Sequence, residues 1–200
     1  MAVAPWYGFD ESFFSLGWLA HYPDAVTAPA IIQATSHGRW FLWPVIAALI
    51  VPLAALGRER TDRRAANILL LAGAFGLAFI FVQGFAIGIS GWTWPALAGL
   101  FGPVEPQEGL GYGALLACAA FLMFFASGLA RRGVMRGDAF IVGSITLVVA
   151  SIGLFVFYPV VRMLLQAGID QQGGVSLPAL FSRLFVEDIW SLGCLAGGRK

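Results

Sequence analysis

The feature that most constrains this chain is residues 139–161, a continuous stretch without a charged side chain. An α-helix rises about 1.5 Å per residue, so about twenty apolar residues cross the roughly 30 Å hydrocarbon core of a bilayer. The stretch therefore predicts a membrane-spanning helix. The predicted helix continues past Pro159 into a segment that mixes apolar and polar residues. There the side chain of Arg162 is expected to reach the headgroup region.

Composition places the whole chain in the same class. Of its 200 residues, 59% are hydrophobic and 12% are charged, which is typical of polytopic membrane proteins. The formal net charge is +1, so no basic surface indicates binding to nucleic acid. The two cysteines, Cys118 and Cys194, support neither a disulfide framework nor a metal cluster.

Three further apolar stretches are long enough to cross a membrane, at residues 40–57, 68–89 and 110–130. Pro52 lies inside the first of these and predicts a bend there. Residues 1–39, which precede the first stretch, are interrupted by proline and glycine. This predicts short helices on the membrane surface, including one over residues 30–35. The sequence thus predicts an all-α polytopic membrane protein with four transmembrane helices plus short interfacial helices.

The distribution of arginine predicts how these helices are oriented. The loops after the first and third spans are rich in arginine, whereas the loop between the second and third contains no Lys or Arg. Because short cytoplasmic loops carry the positive charge, both arginine loops are expected in the cytoplasm. The topology-determining residues are Arg58, Arg60, Arg63, Arg64, Arg131, Arg132 and Arg136.

This orientation divides the chain into three parts. Residues 1–39 form an extracytoplasmic interfacial segment, residues 40–166 a four-helix membrane domain, and residues 167–200 an extracytoplasmic tail. Both termini then lie on the outer side of the membrane. Aromatic side chains suited to the membrane–water interface are expected to anchor that side. These are Trp40, Trp43, Trp92 and Trp94.

Reactive side chains are few, and none stands in a pattern typical of an enzyme. His21 and His37 have no cysteine or carboxylate at zinc-site spacing, and the sequence contains no hydrolase, metalloprotease or P-loop motif. Since the spans carry no ionisable side chain at bilayer depth, a proton-coupled carrier is not indicated. Gln83 is a possible intramembrane polar contact, and Gly73, Gly76 and Gly84 predict packing of the second span against the first and third. We therefore predict no enzyme activity, no catalytic or metal-binding residue and no cofactor.

The last third of the chain resembles a family of transporters. The family is that of binding-protein-dependent ABC transporter permeases, whose first core helix is similar to FVFYPVVRMLLQAGID followed by QQGG and SLPALF. The most similar variety is the large, duplicated permease of ferric-iron uptake. The tail DIWSLGCLAGGRK resembles the stretch before the next membrane helix of such permeases. Residues 140–200 then match the family, and residues 1–137 resemble the extra N-terminal helices of its longer members.

The resemblance implies transport across a bacterial inner membrane, with both termini periplasmic. Permeases of this kind work with a cytoplasmic ATPase subunit and a periplasmic binding protein, and the remaining permease domain is expected beyond Lys200. The Glu-Ala-Ala loop that docks the ATPase is absent from these residues, so this segment is not expected to transport by itself. The alternative is a structural or accessory subunit that packs against a larger membrane protein complex. In both cases the lipid bilayer is a direct partner.

Overall fold

The computed structural model describes residues 3–8, 17–22, 24, 27–59, 61–88, 91–104, 107 and 109–167. These residues are mostly helical, as predicted. The chain divides into two units, Met1–Leu147 and Val148–Lys200. The predicted glycine turn, SLPALF segment and C-terminal tail lie outside the described residues.

The described elements are short at the beginning of the chain and long afterwards. The helices are α1 (Ala30–Thr35), α2 (Trp43–Ile50), α3 (Leu53–Leu56), α4 (Arg63–Ala86), α5 (Pro95–Phe101), α6 (Tyr112–Arg131), α7 (Ala139–Ile152) and α8 (Tyr158–Ala167). Helical 3-10 turns occur at Gly17–Leu19, Trp40–Leu42 and Val134–Gly137. Two strands of two residues each, β1 (Ile87–Gly88) and β2 (Gly91–Trp92), pair antiparallel with Ile87 opposite Trp92. This small hairpin and an isolated antiparallel β-bridge between Tyr7 and Leu110 are the departures from an all-α fold in the described part of the chain.

Three helical segments are long and apolar enough to cross a membrane, namely Arg63–Ala86, Tyr112–Arg131 and Ala139–Leu164. They correspond to the predicted second, third and fourth spans. The second begins earlier than predicted because Asp62 accepts a hydrogen bond from the backbone N–H of Arg64 (2.8 Å) and so caps the first turn. These three segments support the prediction that the chain is a membrane protein.

The predicted first span, residues 40–57, does not form a helix of spanning length. Its apolar helical stretch is Trp40–Ala55, which at about 1.5 Å per residue covers about 24 Å. Proline has no N–H for the helix ladder, and α2 ends just before Pro52 while α3 begins just after it. The predicted bend is therefore confirmed, and four full-length spans are not.

α4 and α6 pack against each other in antiparallel orientation. A Cβ atom at Gly73 would lie 2.5 Å from the backbone nitrogen of Phe125, and one at Gly128 would lie 2.6 Å from that of Leu70. Only glycine permits such an approach, because any side chain would push the backbones apart. The predicted packing of Gly73 and Gly76 against a neighbouring span is confirmed for α6.

Other elements of the first unit share a hydrophobic core with this helix pair. Leu42, Val45, Leu69 and Phe121 are fully buried in one hydrophobic core. The predicted helix over residues 30–35 is present as α1, although it contributes buried residues to the fold instead of lying only on a surface. Arg131 Nη1 donates to the carbonyl of Ala55 (3.3 Å), which ties the end of α3 to the end of α6.

The helix that begins at Ala139 continues past Pro159, as predicted. Asp138 Oδ1 accepts from the backbone N–H of Phe140 (2.9 Å) and Ile141 (3.2 Å), which caps its start. A π-helical turn over Gly153–Phe157 joins α7 to α8. Since proline removes one backbone donor, a widened turn just before it keeps the helix continuous.

Candidate functional site

Gln83 lies one turn before the end of α4, and it is 95% buried. Its Nε2 donates a hydrogen bond to the hydroxyl oxygen of Tyr7 (2.9 Å), 76 residues away in sequence. Its Oε1 is buried without a hydrogen-bond partner. Gln83 thus makes a polar contact with the N-terminal segment.

Residues 5–8 run across the start of α6. The backbone N–H groups of Gly111 and Gly113 donate to the carbonyls of Trp6 (2.9 Å) and Pro5 (2.7 Å). The first N–H groups of a helix have no partner within the helix, so the N-terminal segment supplies the missing acceptors. A Cβ atom at Gly113 would lie 2.6 Å from the carbonyl oxygen of Ala4. Glycine at the start of α6 therefore makes room for the strand-like segment that caps it.

Arg39 completes this buried polar cluster. Its guanidinium carbon lies 4.5 Å from the centre of the Tyr7 ring, in cation–π geometry, and the residue is buried. Neither Tyr7 nor Arg39 was identified as a site residue from the sequence. One signal was available: Arg39 stands apart from the two arginine loops, next to a tryptophan-rich helix start.

The electrostatics of the cluster keep the phenol neutral. Burial raises the pKa of Tyr7 to about 12, although the positive charge of Arg39 and the hydrogen bond from Gln83 act in the opposite direction. A phenol with this pKa is protonated at neutral pH and is not a base. The cluster is therefore suited to fastening the N-terminal segment to the helix pair, not to proton transfer.

A cleft of about 170 Å³ adjoins Arg39. It is smaller than the roughly 300 to 1,000 Å³ of sites for drug-sized molecules. It is lined by His37, Gly38, Arg39, Phe41, Phe101, Pro103 and Val104. Its volume suits a few water molecules, and we assign no substrate to it.

Aromatic side chains surround this end of the helix pair, which we call the aromatic end. The ring centres of Trp40 and Phe101 are 5.2 Å apart, and those of Phe41 and Trp92 are 5.5 Å apart. Trp92 Nε1 donates to the carbonyl of Gly102 (2.8 Å). The four predicted anchors are found here in two forms: Trp40, Trp43 and Trp94 are exposed, and Trp92 is half-buried.

The topology-determining arginines lie at the opposite end, where α4 begins and α6 ends. Arg132 donates from Nε (3.0 Å) and Nη2 (2.6 Å) to Oδ1 of Asn67, which joins the two helix ends. We call this surface the arginine face. Its described arginines are Arg58, Arg63, Arg64, Arg131, Arg132 and Arg136. Arg60 lies outside the described residues.

One ion pair belongs to this face. Arg58 Nη1 lies 3.6 Å from Oδ2 of Asp62. The backbone N–H of Arg64, followed by smaller effects that include Arg58, holds the pKa of Asp62 below its usual value. The Asp62 carboxylate therefore stays ionised and occupied by local partners.

Within the described ranges, no three His, Cys, Asp or Glu residues come together in a group able to hold a metal ion. Among the residues that the structure describes, polar side chains gather at the Tyr7 cluster and at the arginine face. No family model matches the chain, and comparisons with curated proteins and with solved structures find no significant match.

Proposed function

We propose that this chain is the N-terminal membrane segment of an ABC transporter permease of the ferric-iron type. One observation supports this most: the apolar helix from Ala139 passes through Pro159 without ending and gains polar residues in its last turns. That order of parts is the one in which the sequence resembles the first core helix of such permeases. The iron is the cargo of the transport system, and we assign no iron-binding residue to this segment.

The proposed topology has four membrane crossings. The apolar stretch Trp40–Ala55 runs from the aromatic end to the arginine face, where Ala55 accepts from Arg131. Although short, it makes the first crossing, with the bilayer thinned locally or the flanking side chains reaching to the interface. The arginine face is cytoplasmic and the aromatic end periplasmic, and both termini are periplasmic.

The proposed partners follow from the resemblance. A cytoplasmic ATPase subunit, the remaining permease domain and a periplasmic binding protein complete the transport system. Phe140, in the first turn of α7, is 82% exposed, and an exposed apolar helix needs lipid or further helices against it. The permease domain supplies such helices.

Transport of ferric iron is tested in cells that carry this gene. Deletion of the coding region is expected to abolish binding-protein-dependent uptake of radioactive ferric iron and to leave uptake of an unrelated amino acid unchanged. Restoring the gene is expected to restore uptake. Unchanged ferric-iron uptake in the deletion strain would refute the proposal.

A structural or accessory subunit is the second candidate. It is favoured by the glycine contacts of α4 and α6, because close packing at small residues is also how helices associate in membrane assemblies. Purification from solubilised membranes with an antibody to residues 57–67 separates the two candidates. A permease brings down a nucleotide-hydrolysing subunit, whereas an accessory subunit brings down a stable assembly without ATPase activity.

A further inference from the structure

The arginine face carries a strong excess of positive charge on a small surface. Residues 57–67 and 131–138 together contain seven arginines against three carboxylates. The hydrogen bonds from Arg132 to Asn67 bring these two loops together at one end of the helix pair. Because Asn67 is neutral, these bonds fix the arginine without cancelling its charge.

A cleft lies in the middle of this face. It has a volume of about 370 Å³ and lies between the end of α6, the start of α7 and the loop before α4. Its lining combines one guanidinium, two hydroxyl-bearing side chains and small residues: Thr61, Ser127, Ala130, Arg131, Gly133, Gly137 and Ala139. Guanidinium and hydroxyl groups are the donors that hold a phosphate oxygen.

The turn beside the cleft has an unusual backbone. Met135 (φ 50°) and Arg136 (φ 60°) are both left-handed, a conformation that residues other than glycine seldom adopt. Such conformations are retained where the surroundings hold them, often at binding sites. Here the turn leaves Arg136 exposed next to the cleft-lining Gly137.

Two exposed apolar residues stand close in sequence to the residues that line this cleft. Met135 is 52% exposed and Phe140 is 82% exposed, and each is next to or near a residue that lines it. Phe140 lies at the start of the apolar segment Ala139–Leu164, and Met135 lies in the turn that precedes this segment. A polar cleft near exposed apolar side chains suits a molecule with a charged headgroup and hydrocarbon tails. Free phosphate has no apolar part that could contact those side chains.

We propose that the arginine face binds an anionic phospholipid, with its phosphate in the cleft beside Arg131 and its acyl chains along the exposed apolar side chains in the first turns of α7. Basic pockets between membrane helices are suited to such headgroups, and nearby arginines strengthen the attraction. This inference does not depend on the chain being part of a permease.

The test is a lipid titration of the purified full chain in detergent, followed by native mass spectrometry. Phosphatidylglycerol and phosphatidylcholine with the same acyl chains are the probes. We expect phosphatidylglycerol to bind at least about tenfold more tightly, since several arginines contribute about fivefold each. Equal binding of the two lipids would overturn the proposal, as would displacement of phosphatidylglycerol by an equal concentration of inorganic phosphate.

A set of variants locates the site. The triple variant Arg63→Gln, Arg64→Gln, Arg136→Gln removes exposed charges and is expected to lose most of the preference for phosphatidylglycerol. The control Arg162→Gln removes an arginine of α8 that is not among the residues of the arginine face, and this variant is expected to retain the preference. A preference that survives the triple variant, or disappears equally in the control, would contradict the assignment.

The wild-type chain provides a test that does not depend on the folding of any variant. Binding through exposed charges is screened by salt, so the preference for phosphatidylglycerol is expected to fall severalfold when sodium chloride is raised to about 0.5 M. A preference that is unchanged at high salt would show that the arginines do not provide it.

Discussion

At the scale of single residues, the hydrogen bond between Gln83 and Tyr7 holds the N-terminal segment across the end of two membrane helices. Tyr7→Phe removes the acceptor and leaves the Gln83 amide buried without this partner. We expect the free energy of unfolding to fall by about 1 to 3 kcal/mol. Unfolding of the purified chain in detergent, followed by circular dichroism, measures this change.

A second substitution provides the control. When Gln83→Leu is added to Tyr7→Phe, no buried amide remains to be satisfied, and replacing both partners by apolar groups costs little. The double variant is therefore expected to be more stable than the Tyr7→Phe single variant. Strictly additive losses would show that the two side chains do not interact.

The raised pKa of Tyr7 predicts a loss of stability in alkali. The unfolded phenol ionises near pH 10 and the folded one near pH 12. The stabilising effect of keeping Tyr7 protonated is thus complete below about pH 10 and is lost as the pH rises toward 12. The stability of the wild-type chain relative to Tyr7→Phe is expected to fall by about 2 to 3 kcal/mol over this interval. A pH-independent difference between the two proteins would contradict this.

The sequence indicated Gln83 as a polar residue in an apolar helix, but it did not indicate its partner. Tyr7 lies 76 residues away in a segment broken by proline, where no periodicity specifies a neighbour. The role of Arg39 was likewise not predictable from the sequence, because a lone arginine beside a membrane helix is ordinarily expected to be solvated. Long-range pairing of this kind depends on the tertiary fold.

At the scale of elements, the glycine contacts between α4 and α6 predict a specific sensitivity. Gly73→Ala places a methyl group 2.5 Å from the backbone nitrogen of Phe125, so the helices must separate. We expect a loss of about 1 to 3 kcal/mol in the free energy of unfolding. Thermal unfolding in detergent measures it.

Gly143→Ala is the matched control, because Gly143 lies in the apolar helix α7 and a Cβ there meets nothing within 4 Å. Alanine is a better helix former than glycine by up to about 1 kcal/mol. The control is therefore expected to be as stable as the wild type or slightly more so. Equal destabilisation by both substitutions would argue against close packing at Gly73.

The length of the apolar stretches correctly predicted three helices of spanning length, because a long uncharged stretch is seldom compatible with any structure other than a membrane helix. It failed for residues 40–57, where hydropathy is high but Pro52 interrupts the hydrogen-bond ladder and α2 and α3 are short. Capping also set the start of α4 at Arg63, which an apolar count does not detect. The side-chain hydrogen bond at Asp62 decides this boundary.

At the scale of the whole first unit, aromatic residues gather at one end of the helix pair and arginines at the other. This segregation was predicted from the loops alone, because the antiparallel order of the helices brings alternate loops to the same end. The lipid-binding cleft was not predictable, since it depends on how the turn over Val134–Gly137 sits against α6 and the loop before α4.

The proposed orientation, in which the helix pair crosses a membrane with its arginine face in the cytoplasm, can be measured by cysteine labelling in intact cells. In a chain with Cys118 and Cys194 replaced by serine, Ala96→Cys lies at the aromatic end and Thr61→Cys at the arginine face. Both positions are exposed. A membrane-impermeant maleimide is predicted to label Ala96→Cys in intact cells and Thr61→Cys only after the membrane is permeabilised. Labelling of both positions in intact cells, or of Thr61→Cys alone, would contradict the claim.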